Sequence, residues 1–212
     1  MDTDNLLFAL GLTVFAGLMT GIGSLMSLLS RRFNPKFLAG ALGFSAGVMI
    51  YVSLVDIFVK AKDSLVISFG ERTGYWYTVV SFFAGIALIA LIDRLIPSYE
   101  NPHEIRNVVN GKQKEKPSET KLMRMGMFSA IAIAVHNFPE GLATFLAALT
   151  DPTLGISIAV AVAIHNIPEG VAVSVPVYYA TKSKRKAFWL SFLSGLAEPV
   201  GAVIGFFILR HF

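Results

Sequence analysis

His136-Asn137-Phe138-Pro139-Glu140-Gly141 and His165-Asn166-Ile167-Pro168-Glu169-Gly170 are two copies of one six-residue phrase. Each copy sits near the middle of a long apolar stretch, where an ionisable side chain is costly and points to function. On a helix, His and Glu four residues apart differ by about 40° in direction, so both occupy one face, one turn apart. Asn137 and Asn166 lie beside that face. Each phrase therefore offers an imidazole, an amide oxygen and a carboxylate to one small volume, which is a metal-ligand set.

Around the two phrases the chain reads as a membrane protein. Of its 212 residues, 54% are hydrophobic and 15% charged, against about 25% charged in a soluble domain, and the mean hydropathy is +0.63. Six apolar runs, each long enough for the roughly 20 residues a bilayer needs, fall at about 6–30, 37–58, 74–96, 125–150, 153–180 and 187–209. The expected fold is all-α: a polytopic membrane helix bundle forming a single membrane domain over 1–212. The acidic start, Met1-Asp2-Thr3-Asp4, does not resemble the positive region of a secretory signal. Asp151-Pro152 makes the turn between the fourth and fifth runs so short that those helices must lie antiparallel, side by side. The mixed-charge segment Val59–Thr73 is expected to be a connection, and 98–121 a flexible cytoplasmic loop. Asp56, near the end of the second run, reads equally as an entrance ligand or a solvated helix end. GxxxG pairs at Gly17/Gly21, Gly43/Gly47 and Gly201/Gly205 suit close helix packing.

With the N-terminus outside, the inner connections hold 14 of the 18 Lys and Arg and the outer segments 4. That asymmetry clearly favours this orientation. It also accounts for the pI of about 9.4 as inner-face topology, so no nucleic-acid partner is expected. The chain has no Cys, which excludes disulfides, thiolate metal sites and CxxC redox chemistry.

Glu140, Glu169 and Glu198 fall near the middle of the fourth, fifth and sixth runs, and no Lys or Arg lies within 125–150, 153–180 or 187–209. Isolated buried charges cost several kcal/mol each or more. These carboxylates must take up protons, sit in water or bind a cation, and the charge count admits one or two divalent ions. Mixed imidazole and oxygen ligands suit Zn²⁺, Fe²⁺, Mn²⁺ or Co²⁺ and not Cu(I). Pro139 and Pro168 free the carbonyls of Val135 and Ile164, and interrupted helices near the midplane are a common transporter device. A proline alone reads equally as a mere kink, and a single buried His or Glu can be a satisfied structural group. The repetition of the phrase, with Glu198, argues for a site.

These two phrases resemble the signature of the ZIP (zinc/iron-regulated transporter-like) family. The stretches Gly43-Phe44-Ser45-Ala46-Gly47-Val48-Met49 and Ser194-Gly195-Leu196-Ala197-Glu198-Pro199 are similar to its bacterial branch. The resemblance covers nearly the whole chain. It implies divalent-metal uptake toward the cytoplasm across a bacterial plasma membrane, with both termini outside and no enzymatic activity. His136, Glu140, His165 and Glu169 match the family's first metal position. Asn137, Asn166 and Glu198 match the second, with Glu140 and Glu169 as bridges. No prosthetic group is implied; the bound metal is the cargo. The lipid bilayer, the metal ion and a second copy of the chain are the expected partners. Helices one, four, five and six are expected to move against the rest. The family usually has eight spans against the six read here, the other pair belonging to its less mobile part. The rival readings are an intramembrane metal-dependent hydrolase, disfavoured by the lack of an HExxH phrase, and a metal-binding fragment that does not transport.

Overall fold

The computed structural model describes residues 3–30, 35–95 and 118–209, and among these there are helices and no strand. The chain forms α1 (Thr3–Leu29) and α2 (Pro35–Tyr51), and α2 passes through a π-helical turn (Val52–Ile57) into α3 (Phe58–Phe69). There follow α4 (Glu71–Leu95), α5 (Glu119–Thr150), α6 (Pro152–Thr181), α7 (Lys184–Gly195) and α8 (Ala197–Leu209). Six helical segments are long and apolar enough to cross a membrane, as expected of a polytopic bundle. At 32 residues, α5 is about 48 Å long, well beyond a hydrocarbon core of about 30 Å, so its ends reach the headgroups.

The helix ends follow local chemistry. Asp151 accepts hydrogen bonds from the backbone N–H groups of Thr153 and Leu154 at 3.0 and 3.3 Å, with Pro152 as the first helical residue. Ser118 and Ser183 cap α5 and α7 in the same way, accepting from Lys121 N and Lys186 N. Of the loop expected at 98–121, residues 98–117 lie outside the described residues. Ser118 already caps α5, and Glu119, Thr120 and Lys121 are helical.

One expectation is corrected. The connection expected at Val59–Thr73 is helical up to Phe69, and a single residue, Gly70 at φ 81°, turns the chain into α4. The charges of this segment do not break it: Lys60 and Asp63 lie exposed on a helix, and Gly74 lets the α4 backbone meet that of Leu65 and Val66. The sixth run is kept as one crossing segment, Lys184–Ile208, built of two helices that meet at Leu196, because Pro199 supplies no N–H to continue the ladder.

Small residues dominate the packed interior. α1 and α5 both lie along α6, α8 lies along α5, and α7 wedges against α1 and α6. Ala9, Ala148 and Ala202 surround Phe145, the largest fully buried side chain. Lipid is as apolar as Leu, so close backbone approach, not hydrophobic transfer, holds such helices together. Two of the GxxxG pairs serve this way. Gly17 meets the Gly195 carbonyl and Gly21 the Phe192 ring; Gly201 meets the Phe138 carbonyl and Gly205 the Leu142 side chain. At Gly43 and Gly47 an added Cβ would meet nothing within 4 Å. The outward faces carry exposed Leu, Ile, Val and Phe, as a lipid boundary requires. Tyr75, Trp76 and Tyr77 at one end, and Tyr179 and Trp189 at the other, are exposed where aromatic belts form.

α2, α3 and α4 stand apart from this bundle. α4 packs on α3, and α2 with its π-helical turn docks on α6. The seam includes Val48, Met49 and Val52 against Ile158, Ala161 and Val162. Asp56 sits half-buried on the π-helical turn.

Candidate metal centre

The turn at Asp151 brings the two phrases together. His136 lies 15 residues before it and His165 14 after it, so antiparallel α5 and α6 carry both imidazoles to one level. Their ring centroids are 5.8 Å apart. Glu140 is one turn nearer the Asp151 end and Glu169 one turn farther from it. Helical side chains tilt toward their own N-terminus, and the two helices run in opposite directions. The two carboxylates therefore lean toward the histidine level from either side. His136 Nε2 lies 3.4 Å from Glu140 Oε1, and His165 Nε2 lies 3.2 Å from Glu169 Oε1. Donor atoms of His136, His165 and Glu169 all lie within 4.8 Å of one another.

Asn166 and Glu198 form a second group beside the first. Both are fully buried. Asn166 Nδ2 donates to Glu198 Oε1 and, at 2.9 Å, to the Ala16 carbonyl on α1. Asn137 is also fully buried, between the two groups. With its nitrogen toward α7 it donates to the Ser194 carbonyl at 3.3 Å. Turned over, the nitrogen instead donates to Glu169 Oε2 at 3.2 Å and the Ile133 carbonyl at 3.3 Å. The first orientation sets an amide oxygen against a carboxylate oxygen, an arrangement that suits a cation between them. The second suits a centre without one.

All seven residues singled out in the sequence thus lie in or beside one polar island. Its hydrogen bonding is incomplete. Among the described residues, both oxygens of Glu140, Glu198 Oε2, Asn166 Oδ1 and His165 Nε2 are buried without a hydrogen-bond partner. Buried acceptors left in this state are expensive, and a cation satisfies several at once. The His136 side chain is 39% exposed while that of Glu169 is 9% exposed, so the island opens on the His136 side.

Three features of the island escaped the sequence. Ser45 of α2 shares a 2.7 Å hydrogen bond with His165 Nδ1. Thr20 and Ser24 of α1, alongside Gly170, bury hydroxyls with no hydrogen-bond partner among the described residues. α5 and α6 run through Pro139 and Pro168 as continuous helices, so the clear break near the island is the one at Leu196, two residues before Glu198. A hydroxyl at the apolar-run positions of Ser45 or Thr20 was the available signal, but Ser and Thr are ordinary in membrane helices.

A family model described as ZIP Zinc transporter matches residues 96–211. The zinc transporter ZupT of Chlorobium chlorochromatii (strain CaD3) is 67% identical over 210 residues, which cover 99% of this chain and 78% of the relative. Those of Chlorobaculum parvum and Oceanobacillus iheyensis are 62% and 59% identical over 208 and 210 residues, covering 98% and 99% of this chain and 78% of each relative. A six-span helical bundle with both phrases in its interior, matched nearly end to end at this identity, belongs to the ZIP zinc transporter family.

Proposed function

We propose that the chain carries Zn²⁺, with Fe²⁺, Mn²⁺ and Co²⁺ as competing cargo, from outside to cytoplasm by alternating access through the His/Asn/Glu island. The observation that carries this reading is the meeting of two histidines and two glutamates, with unpartnered carboxylate oxygens, midway along α5 and α6. No Lys or Arg of 125–150, 153–180 or 187–209 is there to balance the charge. The names of the relatives support zinc as the cargo.

In this reading the ion enters on the open side of His136, exchanges water for imidazole and carboxylate, and leaves after a rigid-body shift. The packing supports the division of moving parts. α1, α5, α6, α7 and α8 interlock, while α2–α4 meet them across α6. Binding needs neutral imidazoles and ionised carboxylates, so affinity falls in acid. His136, Glu140, His165 and Glu169 form the first position; Asn137, Asn166 and Glu198 belong to the second. A second copy of the chain in the membrane is part of the same family reading.

The test is zinc uptake into sealed vesicles holding the purified chain. Glu140→Ala and Glu169→Ala are expected to abolish uptake while the protein still inserts. Normal uptake by well-inserted variants would overturn the reading. Tight zinc binding by the wild type without flux would leave a binding protein in its place.

A further inference from the structure

Ser45 is the one buried side chain among the described side chains of α2, at 1% exposure; the others are half-buried or exposed. A helix that docks through one buried residue would ordinarily use an apolar one. This one uses a hydroxyl, and that hydroxyl lies 2.7 Å from Nδ1 of His165. The other ring nitrogen, Nε2, faces Glu169 at 3.2 Å and shares the donor cluster with His136. An imidazole that binds a metal through Nε2 must carry its proton on Nδ1. The group accepting from that N–H sets both the tautomer and the ring angle.

We infer that Ser45 is a positioning residue for zinc: its hydroxyl accepts from Nδ1–H of His165 and holds Nε2 toward Glu169 and His136. This rests on the reading of the island as the metal site. Ser45 touches the island from the α2–α4 unit, one heptad before Val52 in the seam with α6. The hydrogen bond therefore joins the two helical units at a cargo ligand. A slide of α6 along α2 by one helical turn, about 5.4 Å, breaks the 2.7 Å bond and frees the ring. Loading and the packing of α2 on α6 are thereby tied to one contact.

The experiment is a zinc titration of the purified full chain in detergent against a competing chromophoric chelator. Ser45→Ala is expected to weaken zinc binding by about 10- to 100-fold, the usual loss when a group orienting a metal ligand is removed. Ser45→Thr keeps the hydroxyl and is expected to restore affinity to within about threefold, which a merely structural role would not explain. In a His165→Ala background, Ser45→Ala should cost nothing further, because the ring it orients is gone. Wild-type affinity in Ser45→Ala alongside weak binding in His165→Ala would overturn the role of Ser45 and leave the metal site standing. An equal loss from Ser45→Ala with and without His165 would overturn it too, by showing that the serine acts through packing. Zinc binding indifferent to both His165→Ala and Glu169→Ala would overturn the site itself, and this inference with it.

Discussion

Each phrase ends in a glycine, and replacing the second one tests why. An ideal Cβ on Gly170 falls against the carbonyl oxygen of Thr20 and lies 2.9 Å from both Ser24 N and Thr20 C. Ordinary contact begins near 3.4 Å and the Thr20 oxygen lies nearer than either of those atoms, so α1 and α6 must part by about 1 Å or more, and the obstacle is backbone that cannot rotate aside. Overpacking of this kind costs about 1–3 kcal/mol, and the better helix propensity of Ala returns at most about 1 kcal/mol. Against backbone the cost falls at the upper end of that range, so Gly170→Ala is expected to lose about 2 kcal/mol, or roughly 4–8 °C in Tm for a chain of this size. The parting also pulls Asn166 from its 2.9 Å hydrogen bond to Ala16, so zinc binding should weaken with stability. Gly11→Ala on the same α1 is the control, since its Cβ would meet nothing within 4 Å. It should melt at or slightly above the wild-type temperature. Thermal melts of the detergent-solubilised chain, read beside zinc titrations, decide the matter. A Gly170→Ala protein that melts with Gly11→Ala would refute the close-approach argument.

Three further outcomes follow from other parts of the molecule. The Lys60 ammonium lies 3.0 Å from Asp151 Oδ2, and this hydrogen bond first, then those from the Leu154 and Thr153 N–H groups, holds the Asp151 carboxyl below its usual range. Its contribution is thus complete above the ordinary carboxylate pKa near 4 and disappears as the pH falls through the depressed value. Melts against pH should show an acid-side step that Asp151→Asn removes, and Asp151→Ala, which also loses the α6 cap, should melt lower than Asp151→Asn. Phe145→Ala should cost less than the roughly 3–5 kcal/mol of a water-soluble core, because the exposed reference is lipid and only the lost packing counts; chemical denaturation in micelles measures it. Zinc at about 100 times its Kd should stabilise the wild type by about 2.7 kcal/mol, and Glu169→Gln should lose most of that shift in a melt with and without metal.

The helical bundle was legible because apolar length alone marks a membrane helix. The meeting of the phrases was legible because Asp151-Pro152 leaves no room for anything but an antiparallel pair, and equal spacing on either side then sets the level. What escaped depends on contacts distant in sequence. The segment 59–69 carries Lys60, Lys62 and Asp63, a pattern equally at home in a loop and on a helix projecting from the membrane. The π-helical turn at Val52–Ile57 has no signature in its Val, Ser, Leu and Ile residues. Ser45 looks like any serine in an apolar run until α6 is laid beside it. The break at Leu196 escaped as well: Pro139 and Pro168 were the prolines expected to interrupt helices, yet α5 and α6 run through them, while Pro199 stands three residues after the actual break.

The mirror relation of the phrases explains why one phrase would not suffice. On one helix, a His and a Glu four residues apart reach a bound ion from the same side and one end. Repeated on an antiparallel neighbour, the same spacing sends the second Glu to the opposite end, so the histidine level is flanked by carboxylates above and below. Glu198 then arrives from α8 through Asn166, a third formal negative charge in a region where residues 125–150, 153–180 and 187–209 bring no Lys or Arg. One divalent ion leaves that group one negative charge in excess; two leave it one positive. Either residue of charge is small compared with the three ionised carboxylates alone, whose burial would cost several kcal/mol each. In the proposed reading, unpaired carboxylate oxygens among the described residues, open on the His136 side, suit a guest that comes and goes better than a permanent structural ion. A structural site closes its coordination shell with protein ligands, whereas here the most exposed donor, His136, stands at the rim.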